Sequence, residues 1–232
     1  RRPLGDPVER CLSMRRRVNM GRRAVMVTVD GEHEHSVELT ASPVRGPSNS
    51  ISGAVVVFHD VGELRGLTRK MSYQATHDPL TGLINRREFE RRLDEAMDTA
   101  HAEETAHMLF YMDLDRFKAV NDSCGHIAGD NMLREVAALI KDQVRDSDFV
   151  GRLGGDEFGA LLIGCPIDKA RQIATDICNA IADYRFVWKD KIFNIGISIG
   201  LVEISPASGS LQDVMSAADS ACYMAKQSGR GQ

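Results

Sequence analysis

The sequence predicts an α/β sandwich, a mixed central sheet flanked by helices, preceded by a smaller β-rich block and a connecting helix. Three observations carry this. Residues 108–112 (MLFYM) form an uninterrupted apolar run, the pattern of a strand buried on both faces. Residues 54–59 (AVVVFH) are strongly β-branched but stand in a short, strand-only block. Between residue 77 and the end, helical and extended patterns alternate as helix, strand, helix, two strands, helix, strand, helix. At 232 residues, with 43% hydrophobic and 27% charged residues, the chain can bury a sizeable core.

The elements follow in order. Residues 1–23 hold eight arginines against Asp6 and Glu9, a basic segment whose +6 leaves −10 for the remainder out of a total of −4. The acidic remainder argues against broad binding of a phosphate backbone, so nucleic acid is not an expected partner. Residues 24–29 and 36–44 are short strands around a turn at Asp30-Gly31, 48–53 a loop, and 54–59 a third strand. In 61–75, Val61, Leu64, Leu67 and Met71 fall at helical spacing. Asp78-Pro79-Leu80-Thr81-Gly82 is a turn, and Asn85 with Glu88 resembles a capping box for a helix carrying Phe89, Leu93, Ala96, Met97 and Ala100 inward. After 108–112 a second helix starts near Gly129, with Met132, Leu133, Val136 and Ile140 on one face. Strands at 149–153 and 157–163 enclose a hairpin at Gly154-Gly155-Asp156. A third helix buries Ile173, Ile177 and Ile181; Phe193, Ile195, Ile197 and Ile199 alternate as a strand; and a last helix runs over 211–227, ending at Gly229.

The five cysteines contain no CxxC pair, which argues against a disulfide scaffold or zinc ribbon and for a reducing, cytoplasmic compartment. No window approaches 18 uncharged apolar residues, so no membrane span is expected within this stretch. The chain opens on Arg1 and is expected to be a piece of a longer protein, any membrane tether lying upstream.

Chemistry is concentrated in carboxylates at strand ends. Asp113 and Asp115 follow the apolar run, and Asp156 and Glu157 sit at the Gly-Gly hairpin. Should the two strands be neighbours, these oxygens converge, and hard oxygen ligands beside a glycine turn suit Mg²⁺ or Mn²⁺ holding a polyphosphate. With Lys118, Lys226 and Arg230 as cationic partners, a triphosphate site is plausible. The same residues also suit an ordinary surface hairpin, since turns are commonly built from Gly and Asp.

Gly154-Gly155-Asp156-Glu157-Phe158 matches the motif that names the GGDEF diguanylate cyclases, and three further segments resemble that family. Asp78-Pro79-Leu80-Thr81-Gly82-Leu83-Ile84-Asn85-Arg86 is similar to its DxLTGLxNR opening. The run from Asp113 to Asp122, with Gly125-His126 and Gly129-Asp130, resembles its DxDxFKxxND…GH…GD segment. Ala225-Lys226-Gln227-Ser228-Gly229-Arg230 resembles its AKxxGR ending. The resemblance covers about residues 77–230.

It implies condensation of two GTP into cyclic di-GMP with release of two pyrophosphates across a homodimer, each subunit holding one GTP. Two Mg²⁺ (or Mn²⁺) per active site would be ligated by Asp113, Asp156 and the Leu114 carbonyl. Asp156 would accept the 3′-hydroxyl proton, with Glu157 supporting the metal site. Asn121 and Asp130 would read the guanine edge, and Lys118, Lys226 and Arg230 would hold the β- and γ-phosphates. Phe117 and Phe158 read as core. Arg145-Asp146-Ser147-Asp148 fits the family's RxxD inhibitory motif, implying product binding at Arg145 and Asp148; Arg171 is the available second arginine, with Asp176 in the competing register. His59-Asp60-Val61-Gly62-Glu63-Leu64 resembles the close of a PAS domain, which makes 24–60 a partial PAS domain, 61–76 a signalling linker helix and 77–232 the cyclase domain. A catalytically silent GTP- or cyclic-di-GMP-binding module of a larger bifunctional protein is the alternative.

Overall fold

The computed structural model describes residues 5–20, 24–28, 34–47 and 49–232, with backbone alone for 64–70. It divides into two units, Arg1–Ser72 and Tyr73–Gln232. The division falls inside the helix that the sequence assigns to the linker, rather than at its end.

In the first unit the basic segment contains a helix the sequence reading did not anticipate, α1 (Pro7–Met14). Its start is specified locally: Pro7 occupies the first helical position, and the Asp6 carboxylate accepts from the Val8 and Glu9 amides. Four strands follow, β1 (Val18–Asn19), β2 (Ala24–Val27), β3 (Glu34–Arg45) and β4 (Ile51–Asp60), with β3 pairing antiparallel to each of the others. β4 begins inside the expected 48–53 loop, because Arg45 and Val44 pair with Ile51 and Gly53 across an irregularity. The expected turn at Asp30-Gly31 lies outside the described residues. Cys11, Val18 and Ala41 form a small core, with Met20, Ala54 and Val56 packed on it. Helix α2 (Gly62–Thr76) starts where the Asp60 carboxylate accepts from the Gly62 amide at 2.8 Å. The expected Leu64 and Leu67 face falls among side chains outside the description; Met71 is exposed.

The second unit contains β5 (Ile84–Asn85), α3 (Arg86–Glu103), β6 (His107–Asp115), α4 (Phe117–Cys124), α5 (His126–Asp142), β7 (Phe149–Gly154), β8 (Glu157–Leu162), α6 (Ile167–Asp183), β9 (Arg185–Trp188), β10 (Lys191–Asn194), β11 (Gly196–Ile204) and α7 (Leu211–Gln227). Five strands form one mixed sheet in the order β11-β6-β8-β7-β5, with β5 parallel to β7 and the other neighbours antiparallel. The continuous apolar run on β6 is explained by two-sided cover. Met108, Phe110, Met112 and Leu114 pack with α5 and α6 residues such as Met132, Val136, Ile173 and Ile177. Leu109 and Tyr111 face α3 and α7 through Phe89, Leu93, Met215 and Ala218.

Several boundaries moved. The second helix begins at His126 rather than near Gly129, and α4 is a separate short helix before it. The strand read through 193–199 is split into β10 and β11, and β9–β10 is an additional hairpin whose Phe186 is buried against Trp188 and Phe193. Asn85 does cap α3 by accepting from the Glu88 amide, but the Glu88 carboxylate turns to Arg91 and Arg92 instead of back to the cap. The reciprocal capping box is at Ser210 and Asp213, on α7. That helix spans Leu211–Gln227 as expected, with Ser228 as its cap, one residue before Gly229.

All five cysteines are free. Cys11, Cys165 and Cys222 are buried; Cys178 is half-buried, and burial pushes its thiol and that of Cys222 up to about 11. Cys124, at the end of α4, is partly exposed. Among the described residues no helix is long and apolar enough to cross a membrane.

Candidate active site

Strands β6 and β8 bring the carboxylates together by register. Asp113 pairs directly with Glu157, so both project from the same sheet face, and the Leu114 amide donates to the Asp156 carbonyl at 3.2 Å. The hairpin turns through Gly155, whose φ of +46° is the left-handed conformation that a residue without Cβ adopts at no cost. Arg152 on β7 holds the turn from behind. Its guanidinium donates to the Gly155 carbonyl at 2.7 and 3.0 Å and to both oxygens of Asp78 at 3.2 and 3.3 Å. Burial alone would push the Asp78 carboxyl up; the Thr81 hydroxyl and amide, then Arg152, outweigh it and hold the carboxyl below its ordinary range. Asp78 thus ties the opening turn to the Gly-Gly hairpin.

Helix α7 delivers the facing cation. A side chain on Gly200 of β11 would place its Cβ 2.1 Å from the Ala218 carbonyl oxygen, so the helix backbone sits directly on the strand. Cys222 packs there and donates to the Ser198 carbonyl. One turn on, Lys226 reaches Asp113 Oδ2 at 2.6 Å. The Asp113 carboxyl is nevertheless held above its ordinary range, by burial first and by the neighbouring Asp156 carboxylate, which together outweigh Lys226. This surplus of negative charge is what a divalent cation would relieve. Two carboxylates and a backbone carbonyl suit Mg²⁺, which keeps several of its waters. Among the described residues no group of three or more His, Cys, Asp or Glu side chains is placed to hold a metal ion.

The remaining predicted residues fall into two places. Arg116, in the left-handed region, ends β6 and starts α4, which is anchored by buried Phe117 and Val120. Lys118 is left exposed and Asn121 half-exposed, with Asn121 Oδ1 lying against the α carbon of Gly129, beside the half-exposed Asp130 in the first turns of α5. Phe158 is fully buried, as expected of core. Arg230 lies beyond α7, 3.8 Å from Asp115.

Arg145 and Asp148 lie at the opposite end of β7, roughly 17 Å along the strand at about 3.3 Å per residue. The Asp148 carboxylate is fully buried and already accepts from the Arg145 amide and guanidinium and the Ile163 amide. The Arg145 side chain is 60% exposed. On α6 Arg171 is exposed and Asp176 half-exposed, the latter accepting from Gln172.

Tyr111 went unnoticed in the sequence. It stands two residues before Asp113 on the same face, and its hydroxyl, held well above its ordinary range by burial and by a hydrogen bond to Glu157, stays a donor to that carboxylate. The available signal was a hydroxyl-bearing ring within an otherwise apolar run.

Residues 75–232 match the protein family described as "Diguanylate cyclase, GGDEF domain". The chain is 45% identical over 197 residues to the probable diguanylate cyclase DgcE of Escherichia coli (strain K12), covering 85% of this chain and 18% of that protein. It is 33% identical over 196 residues to the cyclic di-GMP phosphodiesterase PdeB of Shewanella oneidensis, covering 84% of this chain and 22% of that one. The chain therefore spans about a fifth of the length of these two relatives. Among solved structures it is similar to the coiled coil and GGDEF domain of DgcB from Caulobacter crescentus in complex with c-di-GMP, with a TM-score of 0.69 and 30% identity over 74% of this chain and 91% of that one.

Proposed function

The chain belongs to the GGDEF diguanylate cyclase family, and from that premise we propose that it condenses two GTP into cyclic di-GMP with release of two pyrophosphates. The observation that carries this reading is the apposition of Asp113, Asp156 and Glu157 at one hairpin with Lys226 2.6 Å from Asp113. No member of the metal- and phosphate-binding set implied by the resemblance is replaced in this sequence.

Each subunit of a homodimer holds one GTP. Asn121 and Asp130 take the guanine edge, the aspartate accepting from N1–H and the exocyclic amine, a donor pair that adenine does not offer. Lys118, Lys226 and Arg230 bind the β- and γ-phosphates. Asp113, Asp156 and the Leu114 carbonyl hold two divalent cations, Mg²⁺ or Mn²⁺, whose charge offsets that of the phosphates. Asp156 accepts the proton of the attacking 3′-hydroxyl; Glu157, oriented by Tyr111, keeps the hairpin end negative. Arg152 and Asp78 fix the turn, so that the carboxylate does not have to be ordered when substrate arrives. Product returns to exposed Arg145, which Asp148 holds from below.

The first unit is read as the C-terminal part of a PAS domain and α2 as the signalling helix it feeds; the support is the antiparallel strand set closing at Asp60, which caps α2. A second reading draws on the similarity to a protein named as a phosphodiesterase. There, the chain is a silent nucleotide-binding module that regulates a neighbouring domain.

The test is incubation with GTP and Mg²⁺ across protein concentrations, beside Asp156→Asn. Cyclic di-GMP and pyrophosphate rising faster than linearly with protein, and lost in the variant, is the expected result. Tight GTP binding without product at any concentration favours the silent module, and absence of GTP binding overturns the site.

A further inference from the structure

Asp115 stands two residues after Asp113 on the same strand, and sequence alone groups the two as cation ligands. Their surroundings differ. The Asp115 side chain is 4% exposed and its oxygens are already engaged. Oδ1 accepts from the Ser198 hydroxyl at 2.9 Å and faces Arg230 Nε at 3.8 Å, while Oδ2 accepts from the Gly231 amide at 3.1 Å. The Oδ2 side packs on Gly196, where a Cβ would meet it at 2.9 Å. A buried carboxylate with a protein donor already on each oxygen is a less available metal ligand and a stiff anchor.

What it anchors is the segment that carries Arg230. This segment leaves α7 at Ser228, and Arg230 adopts a left-handed backbone with φ of +65°. The Arg230 amide donates to the Ala225 carbonyl at 3.1 Å, and the Gln232 carbonyl accepts from the Ile199 amide at 2.8 Å. The segment is thus tied at both ends to α7 and β11, with Asp115 in the middle as its side-chain contact to β6. A non-glycine residue at positive φ persists where its surroundings over-determine it. The Arg230 side chain remains 55% exposed, with its Nε facing Asp115.

We propose that Asp115 is a positioning residue for the triphosphate: it fixes Arg230 and the Gly231 backbone at the mouth of the site, and does not ligate metal. This rests on the reading of Arg230 as a phosphate contact. The effect of Asp115 should therefore depend on the phosphates and travel through Arg230.

The experiment measures binding of 3′-deoxy-GTP and 3′-deoxy-GMP, which lack the attacking hydroxyl, to the full chain with Mg²⁺. The variants are Asp115→Asn, Arg230→Ala, the two combined, and Ser198→Ala. Asp115→Asn is expected to weaken triphosphate binding roughly tenfold, as for loss of a hydrogen bond to a charged group. Monophosphate binding should stay within about twofold, and the double variant should bind no worse than Arg230→Ala alone. Ser198→Ala, which removes one donor and leaves the carboxylate, should show a smaller loss of the same triphosphate-selective kind, and serves if Asp115→Asn does not fold. An equal loss for both nucleotides, or additive losses in the double variant, overturns the inference while leaving the phosphate site intact. Unchanged triphosphate binding by Arg230→Ala overturns the phosphate reading and the inference with it.

Discussion

Among the described residues, the four-stranded sheet of the first unit carries one eight-residue helix over part of one face, and Val55 and Val57 on β4 remain 52% and 44% exposed. The five-stranded sheet of the second unit is covered on both faces, and Phe89, Phe110 and Phe158 are fully inaccessible. The charged groups are placed accordingly. In the second unit Asp78, Asp113, Asp115 and Arg152 sit largely buried at strand ends and turns, around a glycine in the left-handed region. In the first, Asp60 does its capping from an exposed position. A sheet packed from two sides over-determines its strand ends, and so holds partly dehydrated charges at fixed positions. A sheet packed from one side holds its own shape with little to spare.

The contrast can be broken most strongly at the hairpin. Asp113→Asn should reduce cyclic di-GMP formation on the order of a thousandfold, the scale of a lost electrostatic group at a reacting centre. The melting temperature should hold or rise, because a carboxyl kept above its ordinary pKa is penalised in its charged form by the fold, and neutral Asn removes that penalty. Next in size is close packing. Gly200→Val forces a side chain into backbone 2.1 Å away and should cost ~3 kcal/mol, roughly 10 °C in thermal melting. Gly53→Ala, on the first sheet with no atom within 4 Å of the new Cβ, should stay within about 0.5 kcal/mol.

A smaller effect separates the two sheets by pH. Glu88 on α3 is held down to about 2, chiefly by its hydrogen bond to Arg91, then by Arg92. Its folded pKa lies below the unfolded one, so its contribution is complete above about pH 5 and is lost as the pH falls toward 2. Glu88→Gln should therefore cost about 1 kcal/mol in neutral denaturant titrations, discounted for the partly exposed arginines, and progressively less as the pH falls through about 2. The smallest change is expected from Val55→Thr on the open face, under about 0.5 kcal/mol by the same titration.

Much of the second unit was legible because its strands and helices obey one period each. The run 108–112 is continuous since both faces are covered, and Ile173, Ile177 and Ile181 mark a single helical face. What escaped was short or stabilised from a distance. α1 has eight residues, and only Asp6 and Pro7 signal it. β9 and β10 have four residues each and are held by Phe186 reaching the core. At the candidate site the residues and their expected roles came from resemblance to the family's motifs, but the contacts that set Asp115 apart from Asp113 did not. Asp113 and Asp115 look alike in sequence; a hydroxyl from Ser198, 83 residues away, and an amide from Gly231, 116 away, separate them. Arg152 and Asp78 are 74 residues apart, and no local pattern couples them.

The sulfur chemistry of the chain offers a practical use. A thiol reacts through its thiolate, and burial suppresses ionisation at Cys165, Cys178 and Cys222 while Cys11 is wholly enclosed. Cys124 is left as the accessible nucleophile, three residues beyond Asn121. A maleimide dye applied briefly to the unmodified chain should attach at one position, close in sequence to Asn121. Nucleotide occupancy could then be followed by fluorescence without engineering any cysteine in or out.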